Sequence, residues 1–160
     1  LHVNMPDDLP MIQGDRARLE QVFTNLMENA IKFTPPHGEV SVSASHYEER
    51  VRVTVRDTGI GIPPDEQEKV FELFYQVDRG EKRAYRGTGL GLSITRHIIE
   101  RHDGSIWVES DGIAGHGSAM HVDLPIDLRP AEAPTIDFTT PRHKHPQSLA
   151  DADQVADGSA

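Results

Sequence analysis

Asn25, Asn29 and Lys32 stand at i, i+4 and i+7, which at about 100° per residue places them in one stripe along a helix. Solvated stripes are more often built of glutamate and lysine. Two carboxamides offer neutral oxygen ligands for a hard cation, and a lysine offers a point charge for a phosphate oxygen. Taken alone, the stripe also reads, and more commonly, as an ordinary solvated face. Strand parity carries a sharper signal. Asp57 shares the parity of Val51, Val53 and Val55, so alternation turns its carboxylate toward a buried face, where an unpaired carboxylate is costly or takes up a proton. Ser118 shares the parity of Met120, Val122 and Leu124, which puts a hydroxyl on an apolar face as well. Two isolated polar groups facing one core need each other or a ligand. The other reading is that Asp57 caps the Thr58-Gly59 turn.

Two glycine clusters follow: Asp57-Thr58-Gly59-Ile60-Gly61-Ile62-Pro63, and Gly87-Thr88-Gly89-Leu90-Gly91-Leu92-Ser93-Ile94. The second opens directly into a helix, where free N–H groups and the dipole favour an anion and glycine lets the backbone approach it. It lacks the lysine of a P-loop, and no strand feeds it as in a dinucleotide fold. Between the clusters lie Arg79, Lys82, Arg83 and Arg86 among glycine and polar residues, the composition of a mobile cationic lid spanning about Asp78 to Arg86.

Several elements must position these groups. Leu19, Val22, Phe23, Leu26, Met27 and Ala30 recur at helical spacing from Asp15 to Phe33, with Asp15 as N-cap and Pro35-Pro36 blocking continuation. Val40, Val42 and Ala44, then Val51, Val53 and Val55, alternate with polar residues across Tyr47-Glu48-Glu49, which predicts a hairpin with one buried face. A short helix is expected over Pro64 to Phe71 and a longer one from Gly91 to His102, stopped by Gly104. Ile106 and Val108, then Met120, Val122 and Leu124, read as closing strands. The order βαββααββ predicts an α/β sandwich with helices on one sheet face.

The 160 residues suffice for one domain with a real core. No run reaches the roughly 18 apolar residues of a membrane span, so membrane contact by this piece is not expected. The absence of cysteine removes disulfides, thiolate metal sites and cysteine nucleophiles, and a cytoplasmic setting is expected. A net charge of −10 opposes binding to nucleic acid. From Ile126 onward proline, alanine and aspartate dominate. Residues 1–125 therefore read as the domain, and 126–160 as a tail or linker of disordered composition, or a peptide docking through Ile136 and Phe138.

In order, Asn25-Leu26-Met27-Glu28-Asn29-Ala30-Ile31-Lys32-Phe33, Asp57 to Pro63, Val70-Phe71-Glu72-Leu73-Phe74-Tyr75, Gly87 to Ile94 and Gly115-His116-Gly117-Ser118 resemble the N box, first glycine box, F box, second glycine box and third glycine box of sensor histidine kinases. The resemblance covers residues 1 to 125 and belongs to the wider gyrase, Hsp90, histidine kinase and MutL ATPase superfamily, with the F box selecting the kinase branch. It implies the Bergerat-type ATP-binding fold, a two-layer α/β sandwich of a mixed, largely antiparallel sheet with helices on one face. It further implies that Asn29 ligates Mg²⁺, that Asn25 supports the metal and phosphates, and that Lys32 meets phosphate. Asp57 would accept from the adenine amino group, with Gly59, Gly61, Ile62 and Phe33 around the base. Gly87, Thr88, Gly89, Leu90, Gly91 and Leu92 would shape the lid hinge and the helix end facing the phosphates. Ser118 stands where relatives often carry threonine. Gln76 stands where some carry arginine, leaving Arg83 as the candidate cation for the γ-phosphate.

At Asn25 the hydrolytic relatives carry a glutamate that activates water, and a neutral amide cannot act as a general base. None of the nine histidines stands in the family's phosphoacceptor pattern. The implied activity is therefore transfer of the γ-phosphate of ATP to a histidine on a separate dimerisation and phosphotransfer domain that precedes Leu1 in a homodimeric parent, with a response regulator receiver domain downstream. The histidines of this chain read as surface or helix-end residues rather than metal ligands. A hydrolytic ATPase, an anti-sigma-type serine kinase and a degenerate nucleotide-sensing module are the competing expectations.

Overall fold

The structure is a computed structural model that describes residues 1–77 and 88–126. His2–Asn4 forms β1, Arg16–Phe33 α1, Val40–Tyr47 β2, Arg50–Asp57 β3, Gly91–Glu100 α2, Ser105–Glu109 β4 and Ala119–Pro125 β5. The five strands make one sheet in the order β1-β2-β3-β5-β4. β1 runs parallel to β2, and every other pairing is antiparallel.

α1 begins as its sequence dictates. Asp15 is the N-cap, and its carboxylate accepts from the Arg18 N–H at 3.1 Å, satisfying a donor that the first turn leaves open. The helix buries Leu19, Val22, Leu26 and Ala30 against the inward face of the sheet, where Val55, Met120, Val122 and Leu124 meet them with Ile98 and Ile99 of α2. Val22, Leu26, Ile99, Val122 and Leu124 are all but sealed from solvent, and each such burial contributes about 1.5–3 kcal/mol.

Four local expectations are corrected. Pro64 to Phe71 is not one helix but two 3₁₀ turns, Pro64–Glu66 and Lys69–Phe71, since the stretch has only Val70 and Phe71 to bury. Tyr47 belongs to β2, and the hairpin turns on Glu48 at φ 51°. Gly104 does not supply the left-handed residue that ends α2. Asp103 does, at φ 54°, while the Gly104 N–H bonds Ile99 O at 3.0 Å and the Asp103 N–H bonds Glu100 O at 3.1 Å, a Schellman closure. Gly104 is required for space, because a Cβ there would lie 2.6 Å from Asp123 O. Finally, the histidines read as surface or helix-end residues, yet the closing strand that carries His121 is buried on both faces. His121 and Asp123, pointing away from the helices, are buried too, under Tyr47, Arg52 and Trp107.

That outer cluster is a charge-assisted network. Arg52 grips Asp123 through Nε at 2.7 Å and a second nitrogen at 2.9 Å, and the Tyr47 hydroxyl donates to the same carboxylate. Burial would push the Asp123 carboxyl up, but the hydrogen bonds from Arg52 and Tyr47 outweigh it and hold it below its ordinary value. The Arg52 guanidinium also lies 4.8 Å from the ring centres of both Tyr47 and Trp107. His121 stacks on Trp107 at 5.1 Å and shares a 2.9 Å hydrogen bond with Thr54 Oγ1. Burial pushes this imidazole down, against the nearby Glu109. His121 is thus a sheet-interior residue, not the surface or helix-end histidine expected.

Candidate functional site

Asp57 closes β3 and is 6 % exposed. The Gly59 N–H donates to its Oδ1 at 2.8 Å, and the Ser118 N–H to the same oxygen at 3.3 Å. The Ser118 hydroxyl donates to Oδ2 at 2.6 Å. Both sequence readings of Asp57 hold together: it caps the turn and it meets Ser118. The backbone around it has no room to spare. A Cβ on Gly117, which sits at φ 69°, would overlap Asp57 O, and one on Gly59 would overlap Phe33 O. The Ile60 N–H donates to Phe33 O at 3.3 Å, so the end of α1 is joined to the same turn. Lys32 places its ammonium 5.0 Å from the centre of the Phe33 ring.

The other end of the stripe meets α2. Asn25 Nδ2 donates to Thr95 Oγ1 at 3.0 Å, and Thr95 is 1 % exposed. A Cβ on Gly91 would overlap the Asn25 carboxamide oxygen, so the first residue of α2 has to be glycine for Asn25 to sit there. No side chain caps this helix; the Leu90 N–H meets Thr88 Oγ1 at 3.4 Å, and the first-turn N–H groups form an anion-favouring end. Asn29 is half-buried between the two ends. Asn25 and Phe33 lie about 12 Å apart along the helix axis at 1.5 Å per residue, so α1 meets the turn after the buried Asp57 carboxylate at one end and the N-terminus of α2 at the other.

Leu92 and Ile62 pack against the core. Gly61 at φ 73° and Gly89 at φ 69° adopt left-handed backbone that favours glycine. Arg83, Gly87 and the whole proposed lid fall outside the described residues, and so does nearly all of the tail from 126 onward.

Three residues of this region escaped sequence reasoning. Thr95 reads as one more polar residue in an apolar helix, although its position four after Gly91 is a usable signal. Ser110 and Gln67 hold the Gly61-Ile62 turn from the opposite wall, and no spacing rule points to either.

A family model described as "Histidine kinase-, DNA gyrase B-, and HSP90-like ATPase" matches residues 14–128. The chain belongs to this family, in its sensor histidine kinase branch. Among curated relatives it is 46% identical over 124 residues to the adaptive-response sensory kinase SasA of Thermosynechococcus vestitus, covering 77% of this chain and 32% of that protein. It thus spans about a third of the curated relative's length. Among solved structures it resembles the mycobacterial sensor histidine kinase MprB, with a TM-score of 0.68 and 30% identity over 78% of this chain and 80% of that one. It also resembles the histidine kinase ThkA, solved in complex with the response regulator protein TrrA, with a TM-score of 0.63 and 31% identity over 79% of this chain and 34% of that one. The mixed sheet with helices on one face is the fold of these histidine kinase-type ATPase domains. No helix among the described residues is long and apolar enough to cross a membrane.

Proposed function

We propose that this domain binds ATP with Mg²⁺ and donates the γ-phosphate to a histidine on a separate dimerisation and phosphoacceptor domain of the same homodimeric parent, as the kinase part of a two-component system. A response regulator receiver domain takes the phosphoryl group onward, in keeping with the partner of ThkA.

The carrying observation is the buried Asp57 carboxylate at one end of α1 with an uncapped helix N-terminus at the other. Three donors fix its two oxygens and leave lone-pair capacity for one more, which suits the exocyclic amine of adenine. Gly59 lets the turn after Asp57 pack against the Phe33 carbonyl, and Gly61 lets it pack against Ser110 and Gly112, so the carboxylate is held on a closely packed backbone. The donor set also fits a phosphate-bound magnesium: Asn29 supplies a neutral oxygen, and the remaining ligands come from phosphate and water. Bound there, the metal supplies neutralisation of phosphate charge. Lys32 and the first-turn N–H groups of α2 hold phosphate oxygens in line. Asn25, its nitrogen engaged by Thr95, supplies no proton acceptor for water, which favours transfer over hydrolysis.

An apolar patch suits the phosphoacceptor domain. Leu73 and Phe74 are 66% and 72% exposed, and Phe74 is held at φ 64° by its N–H bond to Gly89 O. A bulky residue in that conformation is strained.

Mixing the chain with its parent's phosphoacceptor domain, Mg²⁺ and γ-labelled ATP tests the reading. Label should accumulate on histidine, stop when Mg²⁺ is removed, and fall sharply with Asn29→Ala. Transfer at the unmodified rate by Asn29→Ala would refute the ligand assignment, and no transfer by the unmodified chain would refute the kinase assignment.

A further inference from the structure

Ser110 follows β4, outside every glycine box, yet its hydroxyl is saturated. It accepts from the Ile62 N–H at 2.9 Å and the Gly112 N–H at 3.2 Å, and donates to Gly117 O at 2.6 Å. One donor and two lone pairs are all a serine has. Gln67, between the two 3₁₀ turns, completes the arrangement: its Nε2 donates to Ser110 O at 2.6 Å and Ile62 O at 3.3 Å. A further strand of the same fabric is the Gly115 N–H, which bonds Gly59 O at 2.8 Å.

These bonds, together with those between Asp57 and Ser118, join two loops that are distant in sequence. One carries Gly59, Gly61 and Ile62; the other carries Gly112 to Ser118. Gly61 packs with its missing Cβ 3.1 Å from Ser110 Oγ, so the hydroxyl is also the surface against which that turn rests. Gly117, whose carbonyl takes the Ser110 proton, precedes the Ser118 that donates twice to Asp57. The hydroxyl therefore ties the Ile62 turn to Gly117, the residue before the Ser118 that contacts Asp57 directly, and so bears on the separation of the two loops flanking that carboxylate.

We propose that Ser110, braced by Gln67, is a positioning residue that sets affinity for the base of the nucleotide and leaves the phosphoryl end untouched. The proposal rests on the nucleotide reading above and adds a specificity-determining latch to it. The latch lies at the Asp57 end of α1, about 12 Å along the helix from the Asn25 end. Its loss loosens the turn after Asp57 without moving Asn25, Thr95 or Gly91.

The test uses the full chain, with ATP, ADP and adenosine as probes in calorimetry, and phosphotransfer to the phosphoacceptor domain for the kinetic split. Ser110→Ala should weaken all three ligands by a common factor of about ten, equivalent to about 1.4 kcal/mol, raising KM for ATP while kcat at saturating ATP stays within about twofold. Ser110→Thr should restore affinity. Gln67→Leu, which leaves the serine intact, should give a smaller shift of the same pattern and serves if Ser110→Ala does not fold. Ile106→Val, a core trim of comparable cost in stability, should leave KM alone. The latch is overturned if Ser110→Ala and Gln67→Leu bind adenosine as the unmodified chain does, if the loss is larger for ATP than for adenosine, or if Ile106→Val raises KM equally. If the unmodified chain bound neither ATP nor adenosine, the nucleotide reading would fall and the latch with it. In that case Asp57→Asn would also change nothing, which separates the two failures.

Discussion

Replacing Asp57 with asparagine changes one atom and almost no volume, which makes its expected effect sharp. Oδ1 faces two N–H donors, from Gly59 and Ser118, so the amide nitrogen of the variant is excluded from that position. It must take the place of Oδ2, where the Ser118 hydroxyl turns to accept rather than donate. The fold keeps its bonds, and the melting free energy should fall by about 1 kcal/mol. The second amide hydrogen would then occupy the direction in which, on the proposed reading, the adenine amine also presents a donor. Such a mismatch costs about 1–3 kcal/mol, or roughly one to two decades of affinity. A 6-oxo purine presents an acceptor at the same place, so GTP should lose nothing and the preference for ATP should collapse. Competition of ATP and GTP for the unmodified chain and for Asp57→Asn, by calorimetry, reads this directly. Equal binding of the two nucleotides by the unmodified chain, or undiminished ATP affinity in the variant, would refute the reasoning.

Three further outcomes are expected. Gly117→Ala places a Cβ onto Asp57 O in left-handed backbone, so thermal unfolding should show a loss of more than about 2 kcal/mol together with loss of ATP binding. Thr95→Val leaves the Asn25 amide without its partner; stability should drop by about 1–3 kcal/mol, and phosphotransfer should slow while adenosine binding is retained. Because the folded Asp123 carboxyl titrates below its ordinary value of 3.8, the Arg52 network stabilises fully above that pH and is lost as pH falls through the lower folded value. The stability gap between the unmodified chain and Arg52→Leu in urea unfolding, wide at pH 7, should narrow below pH 3.8.

Much of this was legible in the residues, for identifiable reasons. α1 reads clearly because cap, periodicity and proline stop agree. Asp57 and Ser118 read clearly because a period of two leaves no ambiguity about which face a strand residue takes. The expectation that the histidines are surface residues failed at His121, because only long-range pairing brings Trp107 and Thr54 over that residue. The two 3₁₀ turns read as one helix because a stretch of this length, with only the adjacent Val70 and Phe71 to bury, is too short to test the period. Ser110 was invisible because a loop serine has no periodicity to betray it, and its partners are backbone groups of residues 48 and 7 positions away.

β5 is the last described strand in the sequence but lies inside the sheet, between β3 and β4. When α1, the hairpin and α2 have left a ribosome, Asp57 still lacks Ser118, which lies 61 residues further on. Closing a loop of that length costs on the order of 4 kcal/mol of chain entropy before any pairing rewards it. The sheet is thus expected to complete late, once the final strand pairs between β3 and β4. On the nucleotide reading proposed above, ligand competence should then arise with that pairing rather than grow with the nascent chain. A truncation before β5 removes Ser118 and the central strand together, so on that reading it should abolish nucleotide binding, and the domain should transfer to another protein only whole.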